Sequence, residues 1–143
     1  RARVDAALAA VGGTAYADAP VGRLSGGEQQ RLRVAQALVG DPAVMLCDEP
    51  LLSLDLAHQQ SVTRLIDRRR RKAATAVVFV THEINPVLPL VDRVLYLVDG
   101  RFRIGTPDEV MNSATLSQLY GADVEVIKVR GRLLVIGTHE VHP

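Results

Sequence analysis

The sequence predicts an α/β fold with mainly parallel core strands. Two short apolar runs, residues 43–50 and 75–82, have the length and continuous apolar character of buried parallel strands. Between them, residues 52–71 carry apolar side chains at helical spacing, and Asp55 is the predicted N-cap. A strand, a helix and a strand in this order form one right-handed crossover unit. The 143 residues, 48% of them hydrophobic, are enough to bury one core.

A capped helix is predicted from Gly26 to Val39. Ser25 and Glu28 have the spacing of a capping box, in which each side chain hydrogen-bonds to a free backbone N–H of the first turn. Capping does not require the two adjacent glycines, Gly26 and Gly27. Bare N–H groups at a helix N-terminus also let a phosphate approach closely. On these residues alone, an ordinary capped helix and a phosphate site both stay open.

Polar side chains follow both predicted strands at their carboxyl ends. Asp48 and Glu49 end the first strand, and His82 ends the second. Ligands of open α/β sheets bind at these strand ends. One carboxylate could hold Mg²⁺ and the other could polarise an attacking water, while the histidine could contact a phosphate or that water. The alternatives are a solvated acidic turn and a structural histidine.

The C-terminal third predicts two hairpins with short helices between them. Asp99-Gly100 is a strong hairpin signal, and a second pair of strands is predicted about Gly131-Arg132. Thr106 and Glu109 have the spacing of another capping box, and residues 114–121 predict a further short helix.

Four motifs together resemble the C-terminal half of the ATP-binding subunit of ABC transporters. "LSGGEQQR" (24–31) resembles the signature motif of that family, "VMLCDEP" (44–50) its Walker B strand with the following glutamate, "SLD" (53–55) its D-loop, and "TH" (81–82) its switch histidine. The resemblance covers nearly the whole chain. It implies a partial P-loop NTPase of the three-layer ABC ATPase fold, with a C-terminal β-hairpin and helix extension.

The resemblance also implies a mechanism in which two subunits face each other and trap two ATP molecules. Asp48 would support Mg²⁺, Glu49 would act on the attacking water, and His82 would contact the γ-phosphate. Asp55 would cross the dimer interface. The residues expected to contact the ATP of the opposite subunit are Ser25, Gly26, Gly27, Glu28 and Gln29.

One departure from the family pattern limits what this chain is expected to do alone. The phosphate-binding loop G-x-x-x-x-G-K-[ST] is absent, because the only lysines are Lys72 and Lys128 and neither follows a glycine. The chain opens on Arg1 within what resembles the end of the helical subdomain. It is therefore predicted to be a fragment that does not hydrolyse ATP alone. The strands that the family sheet has and this chain lacks are expected to leave apolar surface open. The expected divisions are residues 1–24 (end of the helical subdomain), 25–112 (C-terminal half of the ATPase core), 113–137 (C-terminal extension) and 138–143 (disordered tail).

The family resemblance and the composition indicate the partners. A second ATPase subunit, identical or different, and an integral membrane permease are expected, with a solute-binding protein acting indirectly. The chain would then be cytoplasmic and peripheral on the inner face of the membrane, since no apolar run reaches the ~18 residues of a membrane span. A net charge of +1 argues against nucleic acid as a partner.

The function expected from this resemblance is coupling of ATP hydrolysis to solute import. The ending "LYGADVEVIKVRGRLLVIG" (119–137) looks most like subunits of manganese, zinc or iron uptake systems, which suggests a metal ion as cargo. Two alternatives stay open: a non-transport ABC ATPase of DNA repair or translation, and a non-enzymatic truncated remnant.

Overall fold

The structure, a computed structural model, describes residues 1–137. The predicted disordered tail, residues 138–143, lies outside the described residues. The chain divides into two compact units, Arg1–Pro86 and a second unit that begins at Val87. The domain boundaries expected from the sequence, at residues 24 and 112, stay predictions.

The first unit contains one parallel strand pair and three α-helices. Short 3₁₀ turns at Thr14–Tyr16 and Val21–Arg23 precede its second helix. The helices and strands, in chain order, are α1 (Ala2–Ala10), α2 (Gly26–Val39), β1 (Val44–Asp48), α3 (Leu56–Ala73) and β2 (Ala76–Val80).

Helices α2 and α3 begin where their capping residues predict. In α2, the capping box of Ser25 and Glu28 is complete. In α3, the Asp55 side chain accepts a hydrogen bond from the backbone N–H of His58. These bonds satisfy N–H groups that a helix start otherwise leaves without a partner. Both predicted helix starts are confirmed.

Strands β1 and β2 pair in parallel, in a register that runs from Val44 opposite Ala76 to Asp48 opposite Val80. The prediction that both strands are buried on both faces is wrong for the described structure. Side chains alternate, so that Met45 is buried while Leu46 is 76% exposed. Burial of the second face depends on neighbouring layers, which an apolar run alone does not reveal. The open apolar surface expected from the sequence is therefore present.

The second unit consists of two antiparallel hairpins with short helices between them. A 3₁₀ turn at Leu88–Leu90 comes first. The remaining elements are β3 (Val94–Val98), β4 (Arg101–Gly105), α4 (Pro107–Val110), α5 (Ser113–Tyr120), β5 (Val124–Val129) and β6 (Arg132–Gly137). Leu116 of α5 is fully buried in this unit, and the capping box of Thr106 and Glu109 starts α4.

The hairpin turns differ in how well the sequence predicts them. Asp99 and Gly100 connect β3 to β4, both with positive φ, as the sequence indicates. The second turn is formed by Arg130 and Gly131 rather than by Gly131 and Arg132, because Arg132 pairs with Val129 in the ladder. Arg130 adopts a φ of 50°, which arginine disfavours, so its residue type gave no signal.

No helix within residues 1–137 is long and apolar enough to cross a membrane.

Candidate functional site

The carboxyl ends of β1 and β2 lie side by side and bring the predicted catalytic residues to one edge. Asp48 is opposite Val80 in the register, and the next backbone N–H, that of Glu49, donates to the Val80 carbonyl at 2.9 Å. His82 follows two residues after Val80. Parallel pairing therefore places Asp48, Glu49 and His82 at the same sheet edge, where ligands of open α/β sheets bind.

Glu49 and His82 are in direct contact. Oε1 of Glu49 accepts a hydrogen bond from the backbone N–H of His82 at 2.9 Å and lies 2.9 Å from Nδ1 of the same residue. The Glu49 side chain is 30% exposed and the His82 side chain is 74% exposed, so solvent reaches both. This contact could not be read from the sequence, which indicated only that the two residues share an edge.

The contact shifts the pKa of both groups. Hydrogen bonding from His82 lowers the pKa of Glu49, and hydrogen bonding to Glu49 with the charge of its carboxylate raises the pKa of His82. At neutral pH the carboxylate is therefore ionised and can orient a water or accept its proton. The imidazole of His82 is protonated more readily than that of an isolated histidine, and the protonated ring could donate to a phosphate oxygen.

The backbone of Glu49 is in the left-handed region, with a φ of 45°. Its carbonyl accepts two hydrogen bonds, one from the backbone N–H of Leu52 and one from Nε2 of Gln30, each at 3.1 Å. A non-glycine residue at positive φ is strained and persists only where its surroundings fix it. Gln30, in the second turn of α2, was not among the residues predicted from the sequence, although it lies within "LSGGEQQR".

The side chains of Ser25, Glu28 and Gln29 make hydrogen bonds within the signature segment itself. Oε2 of Glu28 accepts from both the backbone N–H and the hydroxyl of Ser25, each at 2.8 Å. Nε2 of Gln29 donates to the carbonyl of Leu24 at 2.9 Å. Any contact of Ser25, Glu28 or Gln29 with ATP would have to be made by their remaining hydrogen-bonding capacity or by replacing these bonds.

The two glycines of the signature segment pack against the D-loop segment of the same chain. A Cβ placed on Gly27 would lie 3.3 Å from the Ser53 carbonyl oxygen, whereas one on Gly26 would lie 3.8 Å from the Ser53 Cβ. Close approach of Ser53 is thus one reason for glycine at position 27. Ser53 does not require glycine at position 26. There, the absence of a side chain leaves the backbone N–H open to a ligand.

Both carboxylate oxygens of Asp55 contact His58 at the start of α3. Oδ1 accepts from the backbone N–H of His58 and Oδ2 lies 2.8 Å from its Nδ1, and these bonds lower the pKa of Asp55. The sequence predicted that Asp55 caps the helix, but the second bond from His58 was missed. The predicted role of Asp55 at a dimer interface stays a prediction.

Asp48 is the residue that fits a divalent cation at this edge. It is exposed, and within the described chain no three His, Cys, Asp or Glu residues cluster as metal ligands. A single carboxylate suits Mg²⁺, which commonly takes one or two protein ligands and completes its octahedron with water and phosphate oxygens. The donor set therefore fits a metal held jointly with a nucleotide.

Comparisons with known proteins find similarity to ABC transporter sequences. Residues 1–52 match the sequence model of the ABC transporter family. The chain is 41% identical over 125 residues to the hemin import ATP-binding protein HmuV of Rhodococcus jostii, a match that covers 85% of this chain and 42% of that protein. It is 39% identical to the spermidine/putrescine import ATP-binding protein PotA of Bacteroides fragilis, over 77% of this chain and 24% of that protein.

A solved structure extends the match to the fold. The inward-facing conformation of a metal-chelate type ABC transporter superposes with a TM-score of 0.77 and 25% identity, over 97% of this chain and 57% of that chain. The described chain therefore has part of the fold of an ABC transporter ATPase, and its sequence is similar to ABC transporter ATP-binding proteins. It spans less than half the length of the two import proteins and over half of the solved chain.

The structural match confirms the predicted fold class, a partial ABC ATPase fold, and the sequence matches support the coarser resemblance to ABC transporter ATP-binding proteins. Apart from Asp55, the site residues predicted from the sequence lie in two sets, and their functional roles stay predictions. Asp48, Glu49 and His82 form the strand-end edge, and residues 25–29 form the start of the signature helix. The finer resemblance to metal uptake subunits stays a prediction, because the relatives import different solutes.

The two signature glycines are expected to respond differently to alanine. Gly27→Ala should lower the free energy of unfolding by about 1 kcal/mol relative to Gly26→Ala, because its Cβ would crowd the Ser53 carbonyl. Gly26→Ala should be neutral or slightly stabilising, since alanine favours the helix. Urea unfolding followed by circular dichroism measures both. Equal stabilities of the two variants would contradict the packing role assigned to Gly27.

The contact between Glu49 and His82 predicts a pH response. NMR titration of His82 should give a pKa above its ordinary 6.5, and Glu49→Gln should return it towards that value. Stability from the raised His82 pKa is present below pH ~6.5 and is lost as the pH rises through the folded-state pKa. The stability that comes from the lowered Glu49 pKa is present above pH ~4.5 and is lost as the pH falls through the folded-state pKa of Glu49.

Glu83→Gln is the matched control for this titration. Its charge also raises the pKa of His82, as the smallest of the contributions, so its removal should lower that pKa less. An unshifted His82 in the parent chain would contradict the contact.

Proposed function

We propose that this chain provides part of the ATP-hydrolysing site of an ABC importer. The observation that carries the proposal is the contact of Glu49 with His82 beside Asp48 at the carboxyl edge of β1 and β2. ABC signature, Walker B and switch motifs accompany that contact in one compact unit. Import is favoured because the relatives described above are import ATP-binding proteins.

The residues of the edge divide the chemistry between them. Mg²⁺ held by Asp48 would supply charge neutralisation at the phosphate oxygens. Glu49 orients the attacking water and accepts its proton, since its carboxylate is ionised and partly open to solvent. His82 holds Glu49 by two hydrogen bonds, and its exposed ring would be available to donate to the γ-phosphate of bound ATP. Their mutual contact favours the ionised carboxylate of Glu49 and the protonated ring of His82, which are the charge states that these roles need.

The signature segment would act on the ATP of a second subunit. Gly26 and Gly27 supply bare backbone N–H groups at the start of α2, a 14-residue helix whose dipole favours phosphate there. Ser25, Glu28 and Gln29 fix the shape of that turn through the bonds described above. Asp55, at the start of α3, would meet the opposite subunit.

The partners follow from the same assignment. We propose a second ATPase subunit, identical or different, and an integral membrane permease that keeps the chain at the cytoplasmic face. A metal ion or metal complex is the proposed cargo class. The hemin and metal-chelate relatives support this cargo, as does the C-terminal resemblance to metal uptake subunits. A solute-binding protein would act through the permease.

A chimera tests the proposed function. In it, this chain replaces the matched 42% of the Rhodococcus jostii hemin import protein, so that a complete ATP-binding domain is formed. Phosphate release with Mg-ATP is measured for the chimera and for this chain alone. We expect hydrolysis by the chimera and none by the chain alone, which has no phosphate-binding loop. A folded chimera without hydrolysis would contradict the proposal.

A further inference from the structure

We propose that Gln30 is a positioning residue that connects the signature helix α2 to Glu49. The chemical importance of this connection rests on the proposed function, because it assigns Glu49 the attacking water. The connection itself is a contact of side chain with backbone and can be tested without ATP.

The Gln30 amide is oriented by two partners. Its Nε2 donates to the Glu49 carbonyl at 3.1 Å, and its Oε1 accepts from Nη1 of Arg33 at 3.4 Å. Turning the amide around would place its NH₂ group against the guanidinium, donor against donor, and its oxygen against a carbonyl. Arg33 therefore favours the orientation in which Gln30 donates to Glu49.

The backbone of Glu49 needs restraint from neighbouring groups to keep its conformation. Its φ of 45° is unfavourable for glutamate, so this conformation must be fixed by its surroundings. Strand pairing restrains its N–H through the Val80 carbonyl, and the following turn restrains its carbonyl through Leu52. Gln30 adds a restraint from a different element, 19 residues earlier in the chain.

The position of Gln30 along α2 gives the contact its meaning. Ser25, Gly26 and Gly27 occupy the cap and the first turn, and Gln30 lies on the next turn of the same rigid helix. A phosphate that pulls on the glycines would move Gln30 and, through it, the Glu49 peptide. The Gln30 side chain thus couples the signature glycines, which would contact the ATP of a second subunit, with Glu49, which would hold the attacking water.

Two substitutions at position 30 remove the donor in different ways. Gln30→Met keeps the length but removes both polar atoms, and Gln30→Glu keeps the size and the acceptor for Arg33 but turns the donor into an acceptor. If position 30 needed only a polar residue, glutamate would serve. If it needs a hydrogen-bond donor, as proposed, glutamate would not serve. Gln36→Met and Gln36→Glu, at an exposed position of the same helix, are the matched controls.

Hydrogen exchange of backbone amides in the full chain is the first measurement. The amides of Leu52 and His82, which bond to the Glu49 carbonyl and carboxylate, should exchange about fivefold faster in both Gln30 variants. The exchange rates of the α5 amides, in the second unit, should be unchanged in the Gln30 variants. In the Gln36 variants, the exchange rates of Leu52, His82 and the α5 amides should all be unchanged. Exchange rates in Gln30→Glu equal to those of the parent would overturn the proposal.

Kinetics of the chimera provide the second measurement. Each Gln30 variant should lower kcat about five- to tenfold and leave KM for ATP within about twofold, because the water and not the nucleotide is misplaced. An unchanged kcat in both variants would overturn the coupling. A parent chimera without Glu49-dependent hydrolysis would instead overturn the proposed function, while the exchange rates would still decide the contact of Gln30 with Glu49.

Discussion

Glu49→Gln is expected to reduce ATP hydrolysis by the chimera about 100- to 10,000-fold, the range contributed by a positioned general base. Glutamine keeps the size of the side chain but cannot accept a proton from water. The lowered pKa of Glu49 shows that the ionised form is favoured in the parent chain, so the substitution removes a carboxylate and not a neutral acid. Phosphate release at saturating Mg-ATP measures the loss.

Glu83→Gln is the control for this result. Glu83 is exposed and adjacent to His82 in the chain, so its replacement removes a charge from the same region while both Glu49 and His82 stay in place. Hydrolysis within about twofold of the parent is expected. A similar loss in both variants would mean that overall charge, and not the Glu49 carboxylate, accounts for the effect.

Leu116→Ala is expected to lower the stability of the second unit by about 2–5 kcal/mol, which is the usual cost of emptying a fully packed leucine site. Leu116 is 0% exposed and lies on the inner face of α5. A unit of this size has little stability to lose, so the variant should be largely unfolded from Val87 onward. Urea unfolding followed by NMR signals of that unit measures the change.

Leu134→Ala, in β6 of the same unit, is the matched control. Its side chain is 52% exposed, so the same chemical change should alter stability by no more than about 0.5 kcal/mol. A loss of less than about 1 kcal/mol in Leu116→Ala would contradict the assignment of that residue to the core.

Features encoded by neighbouring residues were predictable from the sequence. The bounds of α2 agree with the prediction, because Ser25, Glu28 and Gly40 are all local signals. The parallel pairing of β1 and β2, with their polar ends together, followed from the order of strand, helix and strand.

Features that depend on contacts distant in sequence were not predictable. The bond from Gln30 to Glu49 depends on how α2 lies against the end of β1, and the approach of Ser53 to Gly27 depends on the path of a loop. The left-handed conformation of Glu49 also gave no signal, because the residue type disfavours it. The apolar run of β1 likewise gave no sign of which of its faces would stay exposed, because that depends on the layers packed against the strand.

The different sheets of the two units have a consequence for the order in which the chain folds. Two residues separate β3 from β4, and two separate β5 from β6, so each hairpin can close within microseconds. The pairing of β1 with β2 must wait until the intervening chain, including α3, has been brought around, which costs loop-closure entropy. We therefore expect the hairpins to nucleate early and the edge with Glu49 and His82 to be among the last parts of the molecule to form.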